Sequence, residues 1–96
     1  MSLFVVHHQH AAENCPARDP QMAQMLLKHL SPANAASYGM KIEGEAVIKD
    51  LHRLYLIVDA PDQETLNRFM QPFAQAGSVE ILAGSSCEEV VRRGVC

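Results

Sequence analysis

The sequence predicts an α+β domain built on a four-stranded antiparallel sheet. Three observations predict it: strand-like and helix-like segments follow one another in the order β-α-β-β-α-β, a tight connection joins the two middle strands, and a short helix follows the last strand. The chain of 96 residues, 48% hydrophobic and 20% charged, has the composition of an ordinary globular protein. We therefore expect one domain over residues 1–96.

The first half of the chain reads as one strand followed by two helical pieces. Residues 3–9 contain a continuous apolar run and predict a strand. Residues 10–18 predict a loop, because Pro16 disfavours helix at the residue before it. Two capping residues, each followed by proline, predict two helices within residues 19–38 with a bend near Ser31.

The second half reads as a hairpin, a helical stretch, a strand and a short terminal helix. The predicted strands are residues 41–49, 53–59 and 78–83. Pro72 is expected to interrupt the helical stretch near Met70, because proline inside a helix removes a hydrogen bond and clashes with the preceding turn. A Ser-x-x-Glu capping box within residues 85–89 predicts the start of the terminal helix, and Gly94 predicts its end.

This order of elements is the split βαβ, or ferredoxin-like, arrangement. In its usual strand order, 4-1-3-2, strands one and three are central, and the apolar runs at residues 3–6 and 54–58 fit strands buried on both faces. Because two helices cover only one side of such a sheet, we expect a second copy of the chain on the other side. The residue pattern of the second strand predicts that it lies at the edge of the sheet and has a polar face. Its apolar residues Ile42, Ala46 and Ile48 alternate with Glu43, Glu45 and Val47.

The chain resembles the stand-alone ferredoxin-like proteins of the dimeric α/β-barrel superfamily. The resemblance covers nearly the whole chain and rests on the element order and on the strand-to-helix segment LYLIVDAPDQETLNRFMQPF. It implies a homodimer that packs sheet to sheet. Cofactor-free monooxygenases, lactone isomerases, haem-handling enzymes and proteins without known activity share this scaffold, so the resemblance does not select an activity.

The end of the first strand carries the densest cluster of possible metal ligands. His8 and His10 point to one face of the strand and His7 to the other, because side chains alternate. Cys15 follows in the loop, and Cys87 lies in the first turn of the terminal helix, where the backbone N–H groups favour a thiolate. Imidazole and thiolate ligands suit zinc or copper, so the candidate ligands are His8, His10, Cys15 and Cys87. The same cluster also fits a polar strand end with exposed histidines.

A second interpretation of the same region is a substrate site without metal. His8 or His10 would act as an acid or base, since a histidine titrates near neutral pH. Glu45 and Tyr55 on neighbouring strands would help to hold a small oxygenated substrate. This is the chemistry that a cofactor-free enzyme of the dimeric α/β-barrel type would use.

The net charge and the composition limit the kinds of molecule that this protein is expected to bind. The net charge of −3 and the scattered basic residues exclude a nucleic-acid footprint, and no apolar stretch is long enough for a signal peptide or a membrane span. We therefore expect a cytosolic protein whose three cysteines mostly stay reduced, and their odd number also argues against a full disulfide framework. We expect a small cytosolic zinc- or copper-binding homodimer. The alternatives are a cofactor-free enzyme acting on a small organic ligand and a dimeric interaction module without chemistry.

Overall fold

The computed structural model describes residues 2–96 and contains a four-stranded antiparallel sheet in the order β2-β3-β1-β4. The strands are β1 (Ser2–His10), β2 (Lys41–Ile48), β3 (Arg53–Ala60) and β4 (Gly77–Gly84). Strands one and three are therefore central. The α+β class and the ferredoxin-like strand order predicted from the sequence are confirmed.

Five α-helices and two short 3₁₀ turns connect and follow these strands within residues 2–96. The helices are α1 (Pro20–His29), α2 (Pro32–Ser37), α3 (Gln63–Phe69), α4 (Gln71–Ala76) and α5 (Cys87–Arg93), and the 3₁₀ turns are Ala12–Asn14 and Pro16–Arg18. A side-chain oxygen accepts a backbone N–H at Asp19, Ser31 and Ser86, so the caps predicted within residues 19–38 and 85–89 are confirmed, and Asp62 caps α3 in the same way. The predicted interruption at Met70 is also confirmed, with Pro72 in the first turn of α4.

The hydrophobic core lies between one face of the sheet and the helices. Its largest fully buried side chains are Phe69, Leu56, Leu66, Met70, Val6 and Val58. Burying each of them contributes about 1.5–3 kcal/mol to the free energy of unfolding. His29 ties α1 to this core: its Nε2 donates to the Phe69 carbonyl over 2.7 Å, and its ring stacks on the Phe69 ring. Helix α1 contributes no fully buried residue, so it covers the sheet more loosely than α3 does.

The opposite face of the sheet is uncovered within the described chain. Ile57 and Leu82 on this face are 45% and 52% exposed. The register places Val5 between them, opposite Ile57 on one side and Leu82 on the other. The central strands are thus buried on one face only in the single chain. A second copy covering the other face stays a prediction.

A β-bulge at Glu43 changes the alternation of the edge strand. Ile42 pairs with Val58 on the helix-covered face, but Gly44 pairs with the next residue, Ile57, so one extra residue is inserted. From that point on, the residues of β2 have exchanged faces. The expectation that Ile42, Ala46 and Ile48 share one face is therefore wrong, because the bulge breaks the period of two.

Candidate metal centre

Three elements meet at the end of the sheet where β1 finishes. The last residue of β1, His10, pairs with Gly77 at the start of β4, and its N–H donates to the carbonyl of His52, just before β3. At Gly77 the strands approach so closely that a Cβ would collide with the Gln9 carbonyl, which only glycine avoids. These backbone contacts fix His10 from both sides.

Cys15 reaches the same end of the sheet through the loop that follows β1. It lies between the two 3₁₀ turns: its N–H donates to the Ala12 carbonyl, and its own carbonyl accepts from Arg18 N–H. Its extended backbone, φ −64° and ψ 117°, is what a residue before proline prefers. The two 3₁₀ turns on either side of Cys15 thus hold its thiol in place, and the thiol is half-buried.

His10, Cys15 and His52 form a group of possible metal ligands. One ligand atom from each of the three lies within 4.8 Å of the others, and all three side chains are half-buried. His52 has a left-handed backbone with φ 51°, which is uncommon for a residue other than glycine and costs of order 1–3 kcal/mol. A strained backbone of this kind is over-represented at functional sites.

A hydrogen-bond chain fixes the protonation of His10. His8 Nδ1 lies 2.9 Å from the Ser78 carbonyl oxygen, which only accepts, so Nδ1 carries the hydrogen and His8 Nε2 is an acceptor. His10 Nδ1 lies 3.3 Å from that Nε2 and therefore donates to it. His10 Nε2 keeps its lone pair, and it is buried with no hydrogen-bond partner among residues 2–96. Metal-binding histidines characteristically donate their other N–H to a neighbour in this way.

Burial favours the neutral form of His8 and His10, the two histidines of this hydrogen-bond chain. Desolvation lowers the pKa of His8 below its usual 6.5, outweighing the Ser78 hydrogen bond, which raises it. Desolvation also lowers the pKa of His10, and the neighbouring His52 lowers it further. A neutral imidazole is the form that binds a metal ion, so no proton has to be displaced from His10 Nε2 at neutral pH.

A cavity of about 260 Å³ adjoins the group, under helix α1. His10 and Cys15 line it together with side chains that are mostly apolar. A second cavity of about 200 Å³ lies on the other side of Leu26 and shares His8 and Phe73 with the first. The loose packing of α1 on the sheet leaves this space open.

The structure brings together some of the residues that the sequence singles out, but not all. His8 and His10 share a face, with ring centroids 5.3 Å apart. The bulge turns Glu45 to that same face, opposite Leu56, and Glu45 lines the 260 Å³ cavity. Tyr55 lies on the uncovered face, where its ring stacks on His7 at 4.7 Å. Tyr55 is therefore separated from the other candidate substrate-binding residues by the sheet itself.

Cys87 also lies apart from the histidines. It follows β4, whose last residue, Gly84, pairs with Leu3 at the far end of β1 from His10. Seven residue-to-residue steps along β1 separate Leu3 from His10, about 23 Å at 3.3 Å per step. Of the four candidate metal ligands, only His10 and Cys15 belong to the group that the structure assembles, and His8 lies behind His10.

His52 belongs to the candidate metal group but is not among the ligands predicted from the sequence, although the predicted topology contains a signal for it. The predicted strand order makes strands one and three antiparallel neighbours, so the residue just before strand three lies beside the last residue of strand one. That residue is His52, and its partner is His10. His52 is far from His8 and His10 in the sequence, so the spacing of histidines along the chain does not indicate it.

Comparisons with protein-family models, with curated proteins and with solved structures found no match for the chain. Within residues 2–96, no helix has the length and apolar character needed to cross a membrane.

Proposed function

We propose that this protein binds a zinc or copper ion through His10, Cys15 and His52. One observation carries the proposal: three nitrogen and sulfur ligand atoms lie within 4.8 Å of one another. Around one tetrahedral zinc ion such atoms lie about 3.4–3.6 Å apart, from metal–ligand bonds of about 2.1–2.3 Å. Closing the group on an ion therefore needs a contraction of about 1.4 Å at the most.

The ligand set favours these metals over others. A thiolate with two imidazoles suits zinc and copper, whereas magnesium and calcium require oxygen ligands. The unpaired lone pair of His10 Nε2 supports the same assignment, because a buried polar atom without a partner is costly and a metal ion would satisfy it. Three protein ligands leave one tetrahedral position open, as in zinc sites that bind a water or a substrate.

The proposal is tested by metal analysis of protein purified without an affinity tag. We expect close to one zinc or copper ion per chain, and a cobalt–thiolate charge-transfer band after cobalt substitution. Cys15→Ser should abolish the band, and His52→Gly should release the metal while keeping the left-handed backbone unstrained. Cys87→Ser is the matched control and should keep both. A protein that takes up no metal, or that retains it in Cys15→Ser and His52→Gly, would overturn the proposal.

A second candidate function is a cofactor-free enzyme acting on a small organic molecule. The cavity that His8 and His10 line supports it, since a neutral imidazole beside a cavity suits a general base. The two functions differ in their response to a chelator: a cofactor-free activity persists after metal is removed, and a metal-dependent one is lost.

Membership of the dimeric α/β-barrel superfamily, a homodimer and a cytosolic location complete the proposal. The half-exposed Ile57 and Leu82 on the uncovered sheet face support the homodimer, because burying them would remove apolar surface from water. A reducing compartment would keep Cys15 as the thiol that a metal needs. If no metal and no substrate bind, a dimeric interaction module without chemistry remains.

A further inference from the structure

We infer that the space under helix α1 binds an uncharged, elongated aliphatic molecule, such as a medium-chain alcohol. The molecule would pass beneath the middle of α1 and fill both cavities at once. The inference goes beyond the proposed metal site and needs no metal ion, because most residues that border this space are not members of the metal group.

The two cavities are neighbouring parts of one passage beneath α1. The residues that line both of them are His8, Pro16, Leu26 and Phe73. The smaller cavity extends from Leu26 towards α4, where Ala76 lines it, and the larger one extends towards the edge strand β2, where Val47 lines it. Leu26 is half-buried and packs against the edge of the core, so a rotamer change of this side chain can join the two parts.

Helix α1 is held at its two ends, which leaves the space under its middle open. Asp19, where the loop from β1 ends, caps its first turn, and near the other end His29 Nε2 donates to the Phe69 carbonyl over 2.7 Å. The helix has no buried residue, and Met22 and Met25 beside the smaller cavity are 49% and 63% exposed. A hydrocarbon ligand would cover these side chains, and methionines adapt readily to the shape of such a ligand.

The volume of the space suits a hydrocarbon chain. The cavities measure about 200 Å³ and about 260 Å³, whereas an apolar cavity of about 150 Å³ is enough to bind benzene. Because the two cavities lie on opposite sides of Leu26, one molecule that fills both has to be long and narrow. It also has to pass beneath a helix that is about 10 Å wide, which a short chain cannot do.

The polar groups around the space favour an uncharged ligand. His8, in the wall that both cavities share, has its two ring nitrogens paired with a backbone carbonyl and with His10. Glu45 lines the larger cavity but is exposed, and the register places the Arg53 side chain on the uncovered face of the sheet with Tyr55. A charged group inside the space would therefore have no buried side chain of opposite charge among residues 2–96, and an unpaired charge in apolar surroundings is costly.

Calorimetric titration with linear alcohols tests the inference, on the protein as purified and again after a chelator has removed any metal. From butanol to octanol the affinity should rise about fourfold for each added methylene that becomes buried. Octanoate and octylammonium should bind about tenfold more weakly than octanol, or weaker still. In NMR spectra, bound octanol should show nuclear Overhauser contacts to the methyl groups of both Met25 and Val47.

Variants of the smaller cavity distinguish one long site from a single cavity. Ala76→Phe fills that cavity and should weaken octanol binding about tenfold or more, whereas butanol, which fits the larger cavity alone, should keep its affinity. Met25→Gln, at an exposed position where folding is little affected, should weaken octanol binding about fourfold. Gln24→Phe on the exposed side of α1 is the matched control and should leave both affinities unchanged.

The outcomes separate this inference from the proposed function. An affinity that stops rising after butanol, octanol contacts to only one of Met25 and Val47, or unaltered octanol binding in Met25→Gln would overturn the inference. Octanoate or octylammonium that binds the chelator-treated protein as tightly as octanol does would contradict an uncharged ligand. If octanol binds a protein that takes up no metal, the inference stands and the metal site fails; if metal binds and octanol does not, the reverse holds.

Discussion

The hydrogen-bond chain behind His10 gives the sharpest prediction about the metal centre. Replacing His8 with phenylalanine keeps a ring of similar size beside Phe73, which His8 contacts edge-on at 5.3 Å. The substitution removes the 2.9 Å bond to the Ser78 carbonyl and the 3.3 Å bond that holds His10 Nδ1. His10 then loses the partner that fixes its tautomer and orientation.

The expected loss follows from the position of His8 behind the ligand. Removing such a supporting group lowers metal affinity about 10- to 100-fold, which corresponds to about 1.4–2.8 kcal/mol of binding free energy. The free energy of unfolding of the metal-free protein should fall by about 1–3 kcal/mol, because the Ser78 carbonyl loses its side-chain partner. Part of this cost is offset, because a phenyl ring, unlike the imidazole of His8, has no polar group that must lose its water on folding.

Competition against a chromophoric zinc chelator measures the affinity. His7→Phe is the matched control: it removes the same ring one residue away, on the uncovered face against Tyr55, and should leave the affinity unchanged. His10→Ala marks complete loss of a ligand. An affinity of His8→Phe equal to that of the unaltered protein would refute the supporting role. A loss as complete as that of His10→Ala would make His8 itself a ligand.

Three further predictions concern stability and assembly. Leu56→Ala should lower the free energy of unfolding by about 2–5 kcal/mol in urea titrations, because Leu56 is fully buried, whereas Val47→Ala at an exposed position should change it by less than about 0.5 kcal/mol. The stability of the metal-free protein should fall as the pH drops below 6.5, because burial lowers the pKa of His8 and the unfolded chain takes up the proton first; equal stability at about pH 5.5 and 7.5 would contradict this. Sedimentation should show a homodimer that the double variant Ile57→Lys/Leu82→Lys converts to monomer; a monomeric unaltered protein would end the dimer hypothesis.

The fold was predictable because local signals and the global arrangement agree. Each helix start that carries a capping residue in the sequence has the corresponding side-chain hydrogen bond in the structure, as at Asp19 and Asp62. The break before α4 follows from Pro72, whose ring cannot continue the preceding helix. Such features depend on a few neighbouring residues, so they can be read without knowledge of the rest of the chain.

The site was predictable only in part, because it depends on contacts between distant segments. Alternation along β1 separates His7 from His8 and His10, and the structure confirms this separation. The location of Cys15 beside His52 depends on two 3₁₀ turns and on a hairpin connection, neither of which has a periodic pattern. The register shift in β2 depends on one extra residue, which a period-two pattern cannot reveal.

The bulge in β2 separates a part of the edge strand that packs against the core from a part that lines the cavity. Ile42, before the bulge, packs against the core, whereas Glu45 and Val47, after it, line the cavity of about 260 Å³. Because those two side chains are exposed, replacing them would reshape the cavity at little cost to folding. Deleting the extra residue, Glu43, would remove the bulge but leave Glu45 opposite Leu56 and Val47 opposite Leu54, so both side chains would stay on the cavity side of the sheet. The part of β2 after the bulge can thus change the cavity wall while the core beside Ile42 stays the same.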